Sequence, residues 1–284
     1  MLKILKQALA GGIATQAYPD VIDPPPDGFR GKPVIEFTRC TACDACAQAC
    51  PTTAITMRPD GEDGSSRELS LNYGDCIFCG ECEAACPDAI HLTKEFQLAT
   101  TDKGTLTTRA LFTRTAGNDY RFAALRAVSP TADTAVTELG KELKRKISTL
   151  LGRSLNIREV DAGSCNGCEV EITALNNPVH DIERFGVQFV ASPRHADMLL
   201  VTGPVTRNME IALRQTYEAT PDPRIVVAVG ACAIGGGIFG SSYASCGGVD
   251  AVIPVDVFIP GCPPRPEALL HGMLIAIDRF PGNH

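Results

Sequence analysis

Two domains of different class follow one another in this sequence: a small α+β unit organised by a repeated cysteine loop, then an α/β unit with a parallel sheet. Three observations predict this order. The run C-x2-C-x2-C-x3-C-P occurs twice, at Cys40, Cys43, Cys46 and Cys50 before Pro51 and at Cys76, Cys79, Cys82 and Cys86 before Pro87. From Ser154 onward, short apolar runs of strand length alternate with helix-length segments. The chain has 284 residues, enough for two domains of about 100–200 residues each.

The repeated run is the bacterial two-cluster ferredoxin spacing, in which the fourth cysteine of each run ligates the other cluster. One [4Fe–4S] cluster is therefore expected on Cys40, Cys43, Cys46 and Cys86, and a second on Cys76, Cys79, Cys82 and Cys50. Short loops let three successive thiolates reach one cube, while the turn before proline points the last one away. Disulfides would need an oxidising compartment, and zinc ribbons pair two C-x2-C knuckles across a longer gap. The two runs are also an internal repeat, since PTTAI after Cys50 is echoed by PDAI after Cys86.

Composition narrows the class further. The formal net charge is −7 and no long Lys/Arg block occurs, which argues against a nucleic-acid surface. Lys141–Lys146 reads as the polar face of a helix. No apolar run reaches the ~18 residues of a membrane-spanning helix. The opening segment alternates Leu2, Ile4, Leu5 and Leu9 with Lys3, Lys6 and Gln7, as an amphipathic docking helix would. It carries no twin-arginine pair, and a cysteine-rich chain with cluster spacing is expected in the reducing cytoplasm.

The expected organisation is a docking segment over residues 1–33, a two-cluster domain over 34–100, a connector and helix over 101–152, and the α/β domain over 153–284. Arg58–Arg67 reads as a solvated turn. Residues 100–135 show no sustained apolar period. Val136, Leu139, Leu143, Ile147, Leu150 and Leu151 then recur at helical spacing. In the second domain, strands are expected at Leu155–Val160, Val187–Ala191, Met198–Val201, Ile225–Val229 and Val252–Ile259. Helices are expected after Cys168, over about Asn208–Glu218 and over Pro266–Phe280. Such sheets bind ligands in the loops beyond their strand ends.

Those loops hold five cysteines: Cys165 and Cys168 in SCNGCE, Cys232 in GACA, Cys246, and Cys262 in PGCPPRPE. Four of the five could close a third [4Fe–4S] site. Gly235-x-Gly237-x-x-Gly240 formally matches a dinucleotide fingerprint, but Cys232 occupies the turn and Ser241–Ser245 does not read as a helix.

The stretches SLNIREVDAGSCNGCEVE (154–171), SPRHAD (192–197), VTGPVTRNM (201–209), VGACAIGGGIF (229–239) and PVDVFIPGCPPRPE (254–267) resemble the small subunit of membrane-associated group 4 [NiFe]-hydrogenases, as in formate hydrogenlyase. They are also similar to the B subunit of NADH:quinone oxidoreductase. That quinone enzyme typically opens its ligand set with two adjacent cysteines, whereas this chain has C-N-G-C, which points to the hydrogenase branch. Residues 1–100 resemble the ferredoxin-like subunit of the same complexes, the I subunit in the quinone enzyme, so the chain looks like a fusion of two subunits. The resemblance implies an α+β two-[4Fe–4S] ferredoxin-like domain followed by an α/β flavodoxin-like parallel-sheet domain.

It further implies that Cys165, Cys168, Cys232 and Cys262 bind a third, proximal cluster, with Cys246 left over as a small buried thiol. The expected function is electron transfer through three [4Fe–4S] clusters to or from a [NiFe] large subunit, which holds the catalytic metal. Membrane-embedded subunits and an electron donor or acceptor protein are the other expected partners, with no nucleic acid. The expected location is the cytoplasmic side of the inner membrane, reached through those partners. Glu169, just after the ligand pair, could pass protons toward a partner or simply accept a hydrogen bond at the helix start. Glu171 lies on the same turn. Arg194, His195 and Arg265 are expected at the cluster face, and Asn156 stands where relatives often have histidine. The alternatives are the same wire in a quinone reductase without nickel, and a soluble ferredoxin-type carrier.

Overall fold

The computed structural model describes residues 2–18, 21–61, 64–117, 119–129 and 153–277. After helix α1 (Leu2–Gly11), the two cysteine runs fold alike. Each loop ends in one short helix, α2 (Ala45–Ala49) or α3 (Glu81–Ala85). The residue before each helix is left-handed, Asp44 at φ 73° and Gly80 at φ 90°. Strands β1 (Pro33–Ile35) and β4 (Ile90–Leu92) pair antiparallel beside them.

Strands β2 (Ile55–Asp60) and β3 (Ser66–Asn72) form a hairpin whose ladder runs out to Asp60 opposite Ser66. The solvated turn expected over Arg58–Arg67 is therefore confined to its tip. Cross-strand pairing carries the polar ends, while Leu69 and Leu71 are fully buried at the base.

The connector expected over residues 101–152 is, in its described part, ordered sheet. Strands β5 (Thr107–Arg114) and β6 (Tyr120–Ala127) extend the hairpin into a four-stranded antiparallel sheet of order β2-β3-β5-β6. Thr108, Ala110 and Phe112 face inward, while Arg109 and Thr113 between and beyond them are exposed. That is a two-residue period on a polar stretch, which a search for helical or continuous apolar runs passes over. The helix expected from Val136 to Leu151 lies outside the described residues.

The second domain is a five-stranded parallel sheet of order β11-β10-β9-β7-β8. Its strands are β7 (Leu155–Asp161), β8 (Val187–Phe189), β9 (Met198–Thr202), β10 (Ile225–Val229) and β11 (Val257–Ile259). Counted along the chain this is the 2-1-3-4-5 order of flavodoxin-like folds, with its switch point between β7 and β9. Helices α4 (Gly167–Ala174), α5 (Arg207–Ala219), α6 (Gly230–Gly235) and α7 (Pro266–Ile277) accompany the sheet. Every residue of β9 and β10 is buried, as for strands covered on both faces. Strand β11 is shorter than the expected Val252–Ile259. A 3₁₀ turn occupies Val249–Ala251, and Pro254 has no N–H for a ladder.

The N-terminal segment docks on this chain's own second domain. The Gln16 N–H donates to the Val179 carbonyl at 2.8 Å, and the Arg184 guanidinium donates to the Gln16 and Tyr18 carbonyls at 2.6 and 2.8 Å. Tyr18 is only 4% exposed, packs into the α/β core, and accepts a hydrogen bond from Gln97 at 3.0 Å. Thr100 and Phe258 exchange two backbone hydrogen bonds, and Lys103 pairs with Asp250 at 2.7 Å. The described N-terminal segment and residues 97–103 thus make ordered contacts with the second domain.

Candidate iron–sulfur sites

Eight cysteines of the first domain converge in two groups. One hollow is lined by Cys40, Cys43, Cys46 and Cys86 together with Ile35, Leu69 and Ile90. A second is lined by Cys50, Cys76, Cys79 and Cys82 together with Ile55 and Leu92. Each group takes its fourth cysteine from the other run, the exchange that the spacing predicts. The two loops also repeat each other in detail. The Ala42 N–H donates to Cys40 Sγ and the Phe78 N–H to Cys76 Sγ, both at 3.4 Å. Ala42 and Phe78 adopt φ 53° and 54°, which is what turns those N–H groups onto the sulfurs.

The buried thiols among them are held neutral, whereas backbone N–H donation from Ala45 lowers the pKa of Cys43. Burial, and then the neighbouring cysteines, pushes Cys46 up to about 12. Burial likewise pushes Cys76 up to about 12 and Cys82 up to about 11. Buried, crowded thiols resist ionisation until a cation compensates them, and iron does so. Soft sulfur donors, apolar walls and N–H groups aimed at sulfur together fit an iron–sulfur cluster.

A third group stands at the carboxyl ends of the parallel strands. Cys165 and Cys168 follow β7, Cys232 lies in α6 just after β10, and Cys262 follows β11. Burial raises the Cys168 pKa, and Glu169, Cys232, Cys262 and Cys165 each add to the push. Cys232 is driven to about 11 by burial, then by Cys262 and Cys165. Glycines make the room. A Cβ on Gly230 would lie 2.7 Å from Cys168 Sγ, and one on Gly237 would lie 2.8 Å from Cys232 Sγ. Asn166 closes the C-N-G-C turn at φ 70°, a conformation that Asn tolerates better than most residues. Gly237 is thus spent on a sulfur and not on a phosphate turn.

Cys246 stands apart from this group. Its thiol donates to Glu210 Oε2 on α5 at 3.3 Å, and it bridges to Ser241. It is half-buried against the hydrophobic core, as a leftover thiol was expected to be, but its sulfur also meets a carboxylate.

Glu169, in the first turn of α4, accepts a hydrogen bond from the Thr202 hydroxyl, and its Oε2 is buried without a protein partner. Beside it lies Glu159, whose carboxyl is raised by burial and then by Glu169. Sequence reasoning passed over Glu159. The available signal was a carboxylate in register with the buried Leu155 and Ile157 of β7.

Arg194 and His195 are not at the cluster face. They precede β9 and line a surface cleft with Arg153, Asn156 and Asp197, at the amino end of the sheet. A parallel sheet puts the loop before a strand and the loop after it at opposite ends, and the SPRHAD turn comes before. Arg265 is on the cluster side, but both oxygens of the buried Glu267 hold it, at 2.7 and 2.8 Å. Asn156 donates to the His195 carbonyl at 2.9 Å and thereby ties β7 to that amino-end turn.

The second and third groups adjoin. Cys79 contributes to the raised pKa of Cys262, and Ile77, Phe78 and Cys262 line one cleft between the domains. Three sets of cysteines in sequence, each suited to a cluster, define an iron–sulfur electron-transfer subunit of an oxidoreductase. Residues 39–90 match the family described as a 4Fe-4S dicluster domain. Residues 165–276 match that of the NADH ubiquinone oxidoreductase, 20 Kd subunit. The chain is 53% identical over 143 residues to a probable membrane-bound hydrogenase subunit of Pyrococcus furiosus, covering 49% of this chain and 86% of that protein. Against formate hydrogenlyase subunit 7 of Escherichia coli it is 47% identical over 150 residues, covering 53% of this chain and 57% of the relative. Against the B subunit of the NADH-quinone oxidoreductase of Citrifermentans bemidjiense it is 49% identical over 113 residues, covering 40% and 66%. The chain belongs to the 20 Kd subunit family that these hydrogenase and quinone oxidoreductase subunits share.

Proposed function

We propose that this chain is the electron-transfer subunit of a membrane-associated [NiFe]-hydrogenase complex. In this reading it holds three [4Fe–4S] clusters, on Cys40, Cys43, Cys46 and Cys86; on Cys76, Cys79, Cys82 and Cys50; and on Cys165, Cys168, Cys232 and Cys262. When bound, the clusters supply one-electron redox capacity. The chain's residues hold the sulfurs, aim N–H groups at them, and keep water from the inner faces. The observation that supports the reading is that Ile77 and Phe78 of the Cys79 loop line one cleft with Cys262.

The domain division that goes with it extends the two-cluster unit from residue 34 through β6, which joins its sheet, and begins the α/β unit at residue 153. The [NiFe] large subunit would sit against the third set, where Cys165 and Cys262 are exposed. Glu169 would pass protons toward it. Among the described residues no helix is long and apolar enough to cross a membrane, so attachment to the cytoplasmic face would run through membrane-embedded partners. An electron donor or acceptor protein would complete the set. The C-N-G-C spacing favours the hydrogenase over the quinone reductase.

Anaerobic reconstitution should give about twelve iron and twelve sulfide per chain, three cubes of four each. The native complex should contain nickel and reduce dyes with hydrogen. A plateau near eight iron would remove the third cluster, and a nickel-free complex would hand the chain to the quinone reductase reading.

A further inference from the structure

The cleft between the domains is lined by Arg30, Phe78 and Glu95 on one side and by Cys262, Pro263 and Arg265 on the other. Both guanidiniums border the passage from the Cys79 loop to the Cys262 loop, but they differ in charge balance. Arg265 is neutralised by Glu267 and stacked on Phe96 and Phe29, with centroid distances of 4.7 and 5.5 Å. Glu95 faces Lys32 at 3.9 Å. Arg30 donates to the backbone carbonyl of Cys79, and among the described residues no carboxylate forms an ion pair with it.

Its placement is built in. The strap that carries Arg30 is pinned on its C-terminal side by Gly31 N–H to the Thr93 carbonyl and Lys32 N–H to the Glu95 carbonyl, each at 2.9 Å. A Cβ on Gly31 would come within 2.3 Å of the Glu95 carbonyl oxygen, so only glycine allows this close seat. On the cysteine side, Arg30 packs beside Gly80, whose left-handed φ of 90° sets the turn; a Cβ there would lie in ordinary contact, 3.5 Å from Arg30 Cδ.

We propose that Arg30 is a positioning residue of the relay: the N-terminal strap holds its guanidinium against the Cys79 turn so that its charge favours the reduced form of the cluster on Cys50, Cys76, Cys79 and Cys82. Reduction adds one electron to that cluster, with no proton taken up and no bond made, so the site gains one negative charge. A fixed cation at the turn is attracted more strongly after the gain than before it, and the equilibrium moves toward reduction. The second cluster then holds its electron at the seam facing Cys262. The inference rests on the cluster assignment proposed above.

The test is a redox titration of the reconstituted full chain, followed by electron paramagnetic resonance, for the wild type, Arg30→Gln and Arg30→Lys. Arg30→Gln should lower the reduced-to-oxidised ratio of one cluster roughly tenfold at fixed potential, which is ~59 mV for one electron. The other two clusters should be unmoved, and Arg30→Lys should keep most of the wild-type value. High salt should shrink the wild-type difference, since Arg30 is exposed to solvent. An unmoved midpoint in Arg30→Gln, or equal shifts in the Gln and Lys variants, would overturn the proposal while leaving the clusters in place. A wild-type chain in which no cluster is reducible would instead overturn the assignment on which it rests.

Discussion

Replacing Phe112 by Ala tests whether residues 101–129 belong to the first domain's core. Phe112 is fully buried in β5, edge-on to Phe122 of β6 at 6.0 Å, and Phe122 stacks on Phe37 at 5.5 Å. The Phe37 carbonyl in turn accepts from the Cys40 N–H at 3.3 Å, so this aromatic stack supports the first cysteine loop. Truncating a buried Phe costs about 3–5 kcal/mol in lost transfer energy and cavity. That is a large share of the roughly 5–15 kcal/mol that holds a domain together. With a urea slope of about 2 kcal/mol/M, the midpoint should fall by roughly 2 M. Urea unfolding of the reconstituted chain, followed by cluster absorbance and circular dichroism, would show it, and the cluster on Cys40, Cys43, Cys46 and Cys86 should bleach first. A midpoint change under about 0.5 M would mean that β5 and β6 lie on the domain without being part of its core.

Two further outcomes follow from the second domain. Cys262→Ser should abolish the third cluster or convert it to a three-iron form and stop hydrogen-linked dye reduction. Cys246→Ser, which keeps a hydroxyl for Glu210, should retain most activity and cost about 1 kcal/mol or less; the opposite ranking would reassign the ligand. His271 on α7 is 7% exposed, its Nδ1 has no protein partner, and burial lowers it to about 4. It is neutral in the fold, while the unfolded chain takes up its proton below about 6.5. Its contribution to stability is therefore whole above pH 6.5, falls as the pH drops toward 4, and is gone below that. The His271→Leu variant should lose less stability than the wild type between pH 7 and pH 4, by roughly 3 kcal/mol. Parallel pH profiles for the two would refute this.

The cysteine sets were legible because cluster ligation is a local demand. Three thiolates within seven residues and a proline after the fourth can satisfy few geometries, so Cys40 to Cys50 and Cys76 to Cys86 declared their chemistry without a fold. The parallel sheet was legible because β9 and β10 are continuous apolar runs, the mark of strands covered on both faces. Three matters were left to tertiary structure. Strands β5 and β6 have mixed composition, and only the seven-position register of β5 with β3 shows that Ala110 and Phe112 face a core. Arg194 and His195 share a motif region with cluster-binding stretches, yet chain direction through β9 sends them to the opposite end of the sheet. Tyr18 and Arg30 lie in a Pro/Gly-rich stretch whose partners Cys79, Gln97 and Arg184 are 49 to 166 positions away. Local spacing determines which atoms can bind iron, because those atoms are close neighbours along the chain. Which charges and walls surround the iron depends on segments distant in sequence that only folding brings together.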